Sequence, residues 1–443
     1  MRRFFSPQAG KGMEGKTELA GTDRLRVAVL VAALVSAVAL LAGGAHTARA
    51  EASQRSFGPG EVLVKFEPGA TGQEIAAAHR KSGGRVDEVI PDIGVRVVDV
   101  PVGTEQSAVA AYESNPNVSY AEVNELVRIA EVPNDPRVGE QWQYNNTGQT
   151  GGKDDADIDA FEAWGVTRGG GVAVAILDTG IDKDHVDLQG KVVMARNFTS
   201  RKKTKVDDVV GHGTHVAGSV AANTDNLTGV AGTCPECVLY NGRVIRSDGS
   251  GTAEMLARGI TWAANNGADV ISMSLGTPDP SATLRDAVNY AWAKGVVLAA
   301  AAGNDGVKKP FYPAYYPKVI AVGATDKNDA RAVFSIGSSN YGDWVDIGAP
   351  GDDILSTKLN DGYVEKSGTS MATPHVAGVA GLVWSTSLCT TGDNACVRRQ
   401  IETEADHIPG LDGSLTNGWT DGRRLNANCA VAPATQSCAN RPY

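Results

Sequence analysis

From residue 170 onward the chain alternates short, wholly apolar runs with amphipathic segments, a pattern that few folds can absorb. "VAVAILD" ends at Asp178, "CVLYNGRVI" follows a segment opening "HGTHVAGSVAA", and "ADVISMSLG", "VVLAAAAGN" and "KVIAVGATD" come after helix-like stretches. A strand buried on both faces reads as a continuous apolar run, and strands that alternate with helices form parallel sheets. The expected fold class is therefore α/β, with a mostly parallel sheet and helices on both faces. Such sheets bind ligands beyond the carboxyl ends of their strands, and Asp178, Ser274 and Asn304 each follow an apolar run at that edge.

The first half of the chain has a different organisation. "RLRVAVLVAALVSAVALLAGGAHTARA" places basic residues before an apolar run and ends in Ala48-Arg49-Ala50, the layout of a secretory signal peptide cut after Ala50. An uncleaved anchor is the alternative, but Val27 to Ala42 is short for a spanning helix. Residues 51–132 pattern as βαββαβ, from "EVLVKF" through "GQEIAAAHRKSG" to "VSYAEVN", the order of a small ferredoxin-like α+β unit. The prolines of "IAEVPNDPRV" separate it from a domain over 133–428, and 429–443 form a C-terminal tail. A net charge of −10 argues against nucleic acid as a partner, and "RKKTKVDD" reads as a solvated loop. The expectation is a secreted, extracellular monomer with no stable membrane association once the signal is cut.

The six cysteines fall into local pairs, Cys234/Cys237, Cys389/Cys396 and Cys429/Cys438. Export favours disulfides, and local pairing is the simplest connectivity. Cys234-Pro-Glu-Cys237 also fits a redox motif or half a zinc site, although no second ligand pair is suitably placed for zinc. Asn145, Asn197 and Asn226 lie in glycosylation-type sequons.

Three motifs carry chemistry: "LDTGID" around Asp178, "GHGTHVAG" around His212 and "SGTSMATPHVAG" around Ser370. A serine hydroxyl attacks only when a neighbouring base removes its proton, and an imidazole does so near neutral pH. Each motif alone has a plainer explanation. Ser370 and His212 suit helix starts, Asn304 beside Asp305-Gly306 suits a turn, and His212 with His215 could share a metal. "ILDTG" also occurs in aspartic proteases, which need a second such motif or a dimer; this chain has one copy and the wrong fold pattern.

Together with "AAGN" at Asn304, the motifs resemble the subtilisin-like serine peptidases over roughly residues 131 to 428, in the family's order Asp, His, Ser. "NDP" at 134 to 136, "NTDNLTGVAGT" and "FYPAYYP" resemble its thermitase-like branch. The resemblance implies a peptide-hydrolysing triad of Asp178, His212 and Ser370, with an oxyanion hole from Asn304 and the Ser370 N–H. It implies extended polypeptide substrates held between Gly249-Ser250-Gly251 and Ser274-Leu275-Gly276, hence broad specificity. Ala301, Ala302 and Gly303 would wall the pocket for the residue before the cut bond. Phe311 falls near its floor, where many relatives carry something smaller, so the preferred side chain stays open. The resemblance further implies structural Ca²⁺ held by Asp135, Asp187 and Asn223 with the carbonyls of Ala221, Asp225 and Leu227, hard oxygen donors that suit the ion. The N-terminal unit would be a propeptide that assists folding, inhibits the enzyme and is removed by self-cleavage between Val123 and Asn134. A catalytically silent binding protein on the same fold is the rival, and an intact triad argues against it.

Overall fold

The structure is a computed structural model that describes residues 57–125, 132–200, 202–412 and 418–432. The signal-like segment and Cys438 lie outside the described residues.

The N-terminal unit runs β1 (Phe57–Phe66), α1 (Gly72–Ser82), β2 (Arg85–Ile90), β3 (Val95–Asp99), α2 (Glu105–Glu113) and β4 (Val118–Glu125). Its antiparallel sheet has the order β2-β3-β1-β4, the split arrangement expected from the sequence. Thr71 and Glu74 form a reciprocal capping box at the start of α1, and Gly83 ends that helix in the left-handed region. Val62, Val64, Val98, Ala108 and Tyr112 make a small core of its own.

The second unit is built on a nine-stranded sheet. Its elements are α3 (Ala160–Val166), β5 (Ala173–Asp178), β6 (Val192–Asn197), α4 (His212–Ala221), β7 (Val238–Arg243), α5 (Ala253–Asn265), β8 (Val270–Met273), α6 (Ala282–Ala293) and β9 (Val297–Ala301). They continue with β10 (Ile320–Thr325), β11 (Ile347–Pro350), the hairpin β12 (Ile354–Lys358) and β13 (Gly362–Lys366), α7 (Thr369–Ser385), α8 (Asn394–Thr403), β14 (Asp406–His407), β15 (Arg423–Arg424) and α9 (Ala427–Val431). The sheet order is β14-β15-β11-β10-β9-β8-β5-β7-β6, and all pairings are parallel except β14 with β15. Every residue of β5, β8, β9, β10 and β11 is buried, as the apolar runs predict. Period-two alternation divides β5 between two cores: Val174 and Ile176 join the layer with α4 and α7, Ala175 and Leu177 the layer with α5 and α6. Chain order reverses between β5 and β8, so the crevice lies beyond Asp178 and Ser274.

α7 occupies the middle of one layer, and of its 17 residues only Ser370 and Trp384 escape full burial. A helix that is apolar on every side must be enclosed on every side, and small residues let it be. A side chain on Gly378 would strike Thr233, and one on Gly381 would strike the Cys234–Cys237 disulfide. The Cys389–Cys396 bridge also forms, while Cys429 is disulfide-bonded and buried in α9, which extends the packed core past residue 428. The CPEC pair is thus a buried clip, enclosed beneath α7.

Pro374 lies inside a helix and not in its first turn: α7 starts at Thr369, and Pro374 is its sixth residue. A proline there leaves the carbonyl of Ser370 without an intrahelical donor, and the Ser274 hydroxyl fills that role at 2.8 Å.

Two buried histidines are held neutral. Burial pushes His215 down to about 3 and His375 down to about 4. The unfolded chain takes up these protons below the ordinary histidine value of about 6.5, and the folded chain does so only near those depressed values. Their contribution to stability is therefore complete above pH 6.5 and is lost as pH falls toward 4. We expect the melting temperature of the Ser370→Ala chain, protected from self-digestion, to fall between pH 7 and 4.5. The fall should be shallower in Ser370→Ala/His375→Gln, and equal slopes would count against this account.

Candidate active site

Asp178 is the last residue of β5 and His212 the first of α4, and the two meet because α4 lies unusually close to the strand end. A β-carbon on Gly213 would lie 2.2 Å from the Gly180 carbonyl oxygen and 3.0 Å from Asp178 Cβ, so only glycine permits the approach. His212 Nδ1 then sits 2.8 Å from Asp178 Oδ1, which also accepts from the Thr179 N–H at 2.7 Å. Asp178 is 1% exposed and the His212 side chain 29%, so the carboxylate is enclosed while part of the imidazole remains accessible. Asp208, unforeseen in the sequence, caps α4: its oxygens accept from the N–H groups of Val210, Gly211 and Thr214 and from the Thr214 hydroxyl. Burial alone would raise Asp208, but these bonds hold it below the usual carboxylate value.

Burial works against the charged form of His212, yet Asp178 outweighs it and the imidazole titrates above its ordinary value. Lys366, whose Nζ donates to the Gly211 carbonyl at 2.9 Å, opposes that rise. His215 does not join the site. It is fully buried, and its Nε2 donates to the carbonyls of Ile354 at 2.9 Å and Val364 at 3.1 Å, away from the Asp178–His212 pair.

Ser370 stands in the first turn of α7, after Gly368 with φ +148°. The Ser370 hydroxyl donates to the Ser274 carbonyl at 3.0 Å, and the Ser274 hydroxyl returns a bond to the Ser370 carbonyl. Among the described residues no hydrogen bond joins Ser370 to His212, so the three side chains are assembled in two parts, an Asp–His pair and a serine held by Ser274. Asn304 Oδ1 accepts from the N–H and the hydroxyl of Thr369, both at 2.9 Å, which leaves the donor end of an exposed carboxamide unclaimed. A β-carbon on residue 368 would lie 3.3 Å from Asn304 Nδ2, so Gly368 also keeps this side chain in place.

The segments expected to bind peptide flank the same edge. Gly249, Ser250, Gly251 and Gly276 are exposed, Ser274 is buried and Leu275 half-buried. Beside them lies an apolar cleft of about 300 Å³ lined by Ile245, Leu256, Leu275, Leu284 and Tyr312 among others. Ala301, Ala302 and Gly303 are buried at the end of β9, and Phe311 is half-buried across from them.

For calcium, the structure gathers the expected residues around the 221–230 loop, where the Asp187 carbonyl and the Asp135 carboxylate accept from the N–H groups of Asn223 and Asp225. Asp187 is fully buried, and Asp135 is nearly so with its Oδ1 lacking any partner, the condition of a carboxylate that suits a cation. Asp135 Oδ2 accepts from the Asp225 N–H and the Leu227 N–H donates to Asn134, which docks the 134–137 segment on the 222–230 loop. Asp225 and Leu227 have φ of 63° and 61°, and Ala221 closes α4. Asn223 donates through its Nδ2 to the Gln189 carbonyl at 3.1 Å, which leaves its Oδ1, the atom a cation would take, available; exposed Asn226 donates through its Nδ2 to Asp187 and accepts from the Thr228 N–H through its Oδ1. A second carboxylate group, Asp155, Asp157 and Asp159, is committed to the protein itself: Asp157 accepts from the N–H groups of Asn146 and Asp159, and Asp159 from Asn426. Asn197 is buried and bonds Thr199 through its side chain, which removes it as a glycosylation acceptor.

A strand-end aspartate paired with a helical histidine, and a serine at a helix start beside a free carboxamide donor, are the parts of a serine peptidase of the α/β type. A model of the subtilase family matches residues 169–425, and one of the fervidolysin N-terminal prodomain matches residues 44–124. The chain is 42% identical over 377 residues to a thermophilic serine proteinase of Bacillus sp. (strain AK1), covering 84% of this chain and 87% of that protein. It is 46% identical over 301 residues to thermitase of Thermoactinomyces vulgaris, covering 68% of this chain and 99% of that protein. Among solved structures, a protease of Pseudoalteromonas arctica PAMC 21717 matches with a TM-score of 0.58 and 31% identity, over 68% of this chain and 99% of that one. The chain belongs to the subtilase family, as a subtilisin-like serine peptidase with an N-terminal prodomain.

The electrostatics can be tested without substrate. In the Ser370→Ala chain the His212 ring is expected to titrate above 6.5 by NMR. Replacing Lys366 by methionine should raise that midpoint further and Asp178→Asn should lower it. A midpoint indifferent to both changes would refute the assignment.

Proposed function

We propose that this is a secreted, self-processing endopeptidase in which Ser370 attacks the peptide carbonyl, His212 moves the proton and Asp178 holds the imidazole. The observation that carries this is the Asp178–His212 pair standing at the same sheet edge as a helix-start serine. In the resting arrangement the hydroxyl rests on Ser274, and a turn about one side-chain bond would exchange that carbonyl for the imidazole. His212 then accepts the hydroxyl proton as Ser370 Oγ attacks the carbonyl carbon of the scissile peptide bond, and returns it to the departing amine. Asp178 fixes which nitrogen carries the resting proton and stabilises the imidazolium. Negative charge develops on the carbonyl oxygen, where the Asn304 Nδ2 and the Ser370 N–H at the positive end of α7 would receive it. An acyl-enzyme on Ser370 results, and water releases it by the same steps in reverse.

Backbone pairing along 249–251 and 274–276 demands little of substrate sequence, which supports broad use of polypeptides. The N-terminal unit is read as the propeptide, inhibitor and folding assistant, with export directed by residues 1–50 and a mature enzyme beginning near residue 133. Calcium would be held by Asp135, Asp187 and Asn223 with the carbonyls of Ala221, Asp225 and Leu227, where it would neutralise two buried carboxylates and clamp the segment from Asn134.

Ser370→Ala is expected to accumulate as the uncut precursor and to lose labelling by a fluorophosphonate; normal maturation of that variant would overturn the reading. Asp178→Asn should lower kcat by about 10⁴-fold, and Asn304→Ala by about 10²–10³-fold, the scale known for subtilisin itself. Chelator should lower the melting temperature of the mature enzyme, and an unchanged value with no metal by elemental analysis would remove the calcium site.

A further inference from the structure

The pocket that would receive the side chain preceding the scissile bond lies between two stretches of backbone, Ser274 to Gly276 and Ala301 to Gly303. In this chain an aromatic ring stands between them. A β-carbon on Gly276 would lie 2.4 Å from Phe311 Cε1 and 2.7 Å from its Cδ1, and one on Gly303 would lie 3.2 Å from Phe311 Cγ. The ring therefore packs against the α-carbons of both walls, in space that two glycines leave free. Its backbone is anchored as well. Tyr312 and Thr277 exchange two hydrogen bonds of 2.8 Å, and the Phe311 carbonyl accepts from the Tyr315 N–H at 2.8 Å. Half-buried Phe311 thus presents a fixed apolar surface at the base of the pocket.

Resting on the endopeptidase reading above, we propose that Phe311 closes this pocket to large side chains, so that the enzyme cleaves after small residues such as alanine, glycine and serine. A packed interior tolerates little extra volume, so a leucine or phenylalanine in the substrate would have to displace the ring from both glycine walls. Pocket contacts of one methylene are worth about 10–200-fold in discrimination, and a leucine or phenylalanine exceeds alanine by several carbons. Main-chain pairing on either side is untouched, so selectivity falls on one residue of the substrate.

The test uses the mature enzyme and a set of chromogenic peptides of the form Ala-Ala-Pro-X, with X alanine, leucine or phenylalanine. Wild type is expected to give a kcat/KM for alanine at least 10-fold above that for phenylalanine. In Phe311→Gly and Phe311→Ala the ratio should move toward phenylalanine by at least 10-fold. Wild-type preference for phenylalanine, or a ratio unmoved in a variant that still digests casein, would overturn the proposal and leave the peptidase reading standing. Absence of hydrolysis and of fluorophosphonate labelling in wild type would instead overturn both. Should neither variant fold, the wild-type ratio alone decides.

Discussion

Enclosure of α7 is the constraint on which the rest of the structure depends. A helix with no solvent-facing stripe can only exist inside a finished fold, so its small residues, the sheet beneath it and the elements around it must be mutually fitted. Gly378 against Thr233 and Gly381 against the Cys234–Cys237 bridge set how close it lies. Its first turn emerges at the crevice where chain order reverses, and this brings Ser370 to Ser274 and Thr369 to Asn304. The buried helix and the reacting edge are one object: the packing that stabilises the first defines the second.

A second layer of control comes from groups that touch no substrate. Asp208 ties down the start of α4, Thr369 turns Asn304 so that its donor end faces outward, and Lys366 opposes the pull of Asp178 on the imidazole. Each works by fixing orientation or charge around a reacting group, the condition for preorganised electrostatics.

Much of this was legible in the sequence. The apolar runs of β5, β8, β9 and β10 specified a doubly covered parallel sheet, and residues ending those runs specified its reactive edge. The βαββαβ pattern likewise placed α1 and the split order of the N-terminal sheet. What was hidden depends on contacts between remote segments. Pro374 gave no sign that the carbonyl it freed would be taken by Ser274, 96 residues away. Phe311 could be placed near a pocket by resemblance, but only the positions of Gly276 and Gly303 on either side of its ring show how much of that pocket is left.

Arg424 has a consequence of another kind. It is 1% exposed and binds Asp329, Asp406 and the Asp155 carbonyl, while burial beside Asp157 and Asp406 pushes Asp159 up to about 7. A carboxyl-terminal digestion that reached this residue would leave a nest of buried acids without its cation, and removing one partner of such a group is costly. The last strand of the sheet is therefore fastened by charge as well as by packing, and a cut that removed Arg424 would cost the fold and not merely shorten the chain.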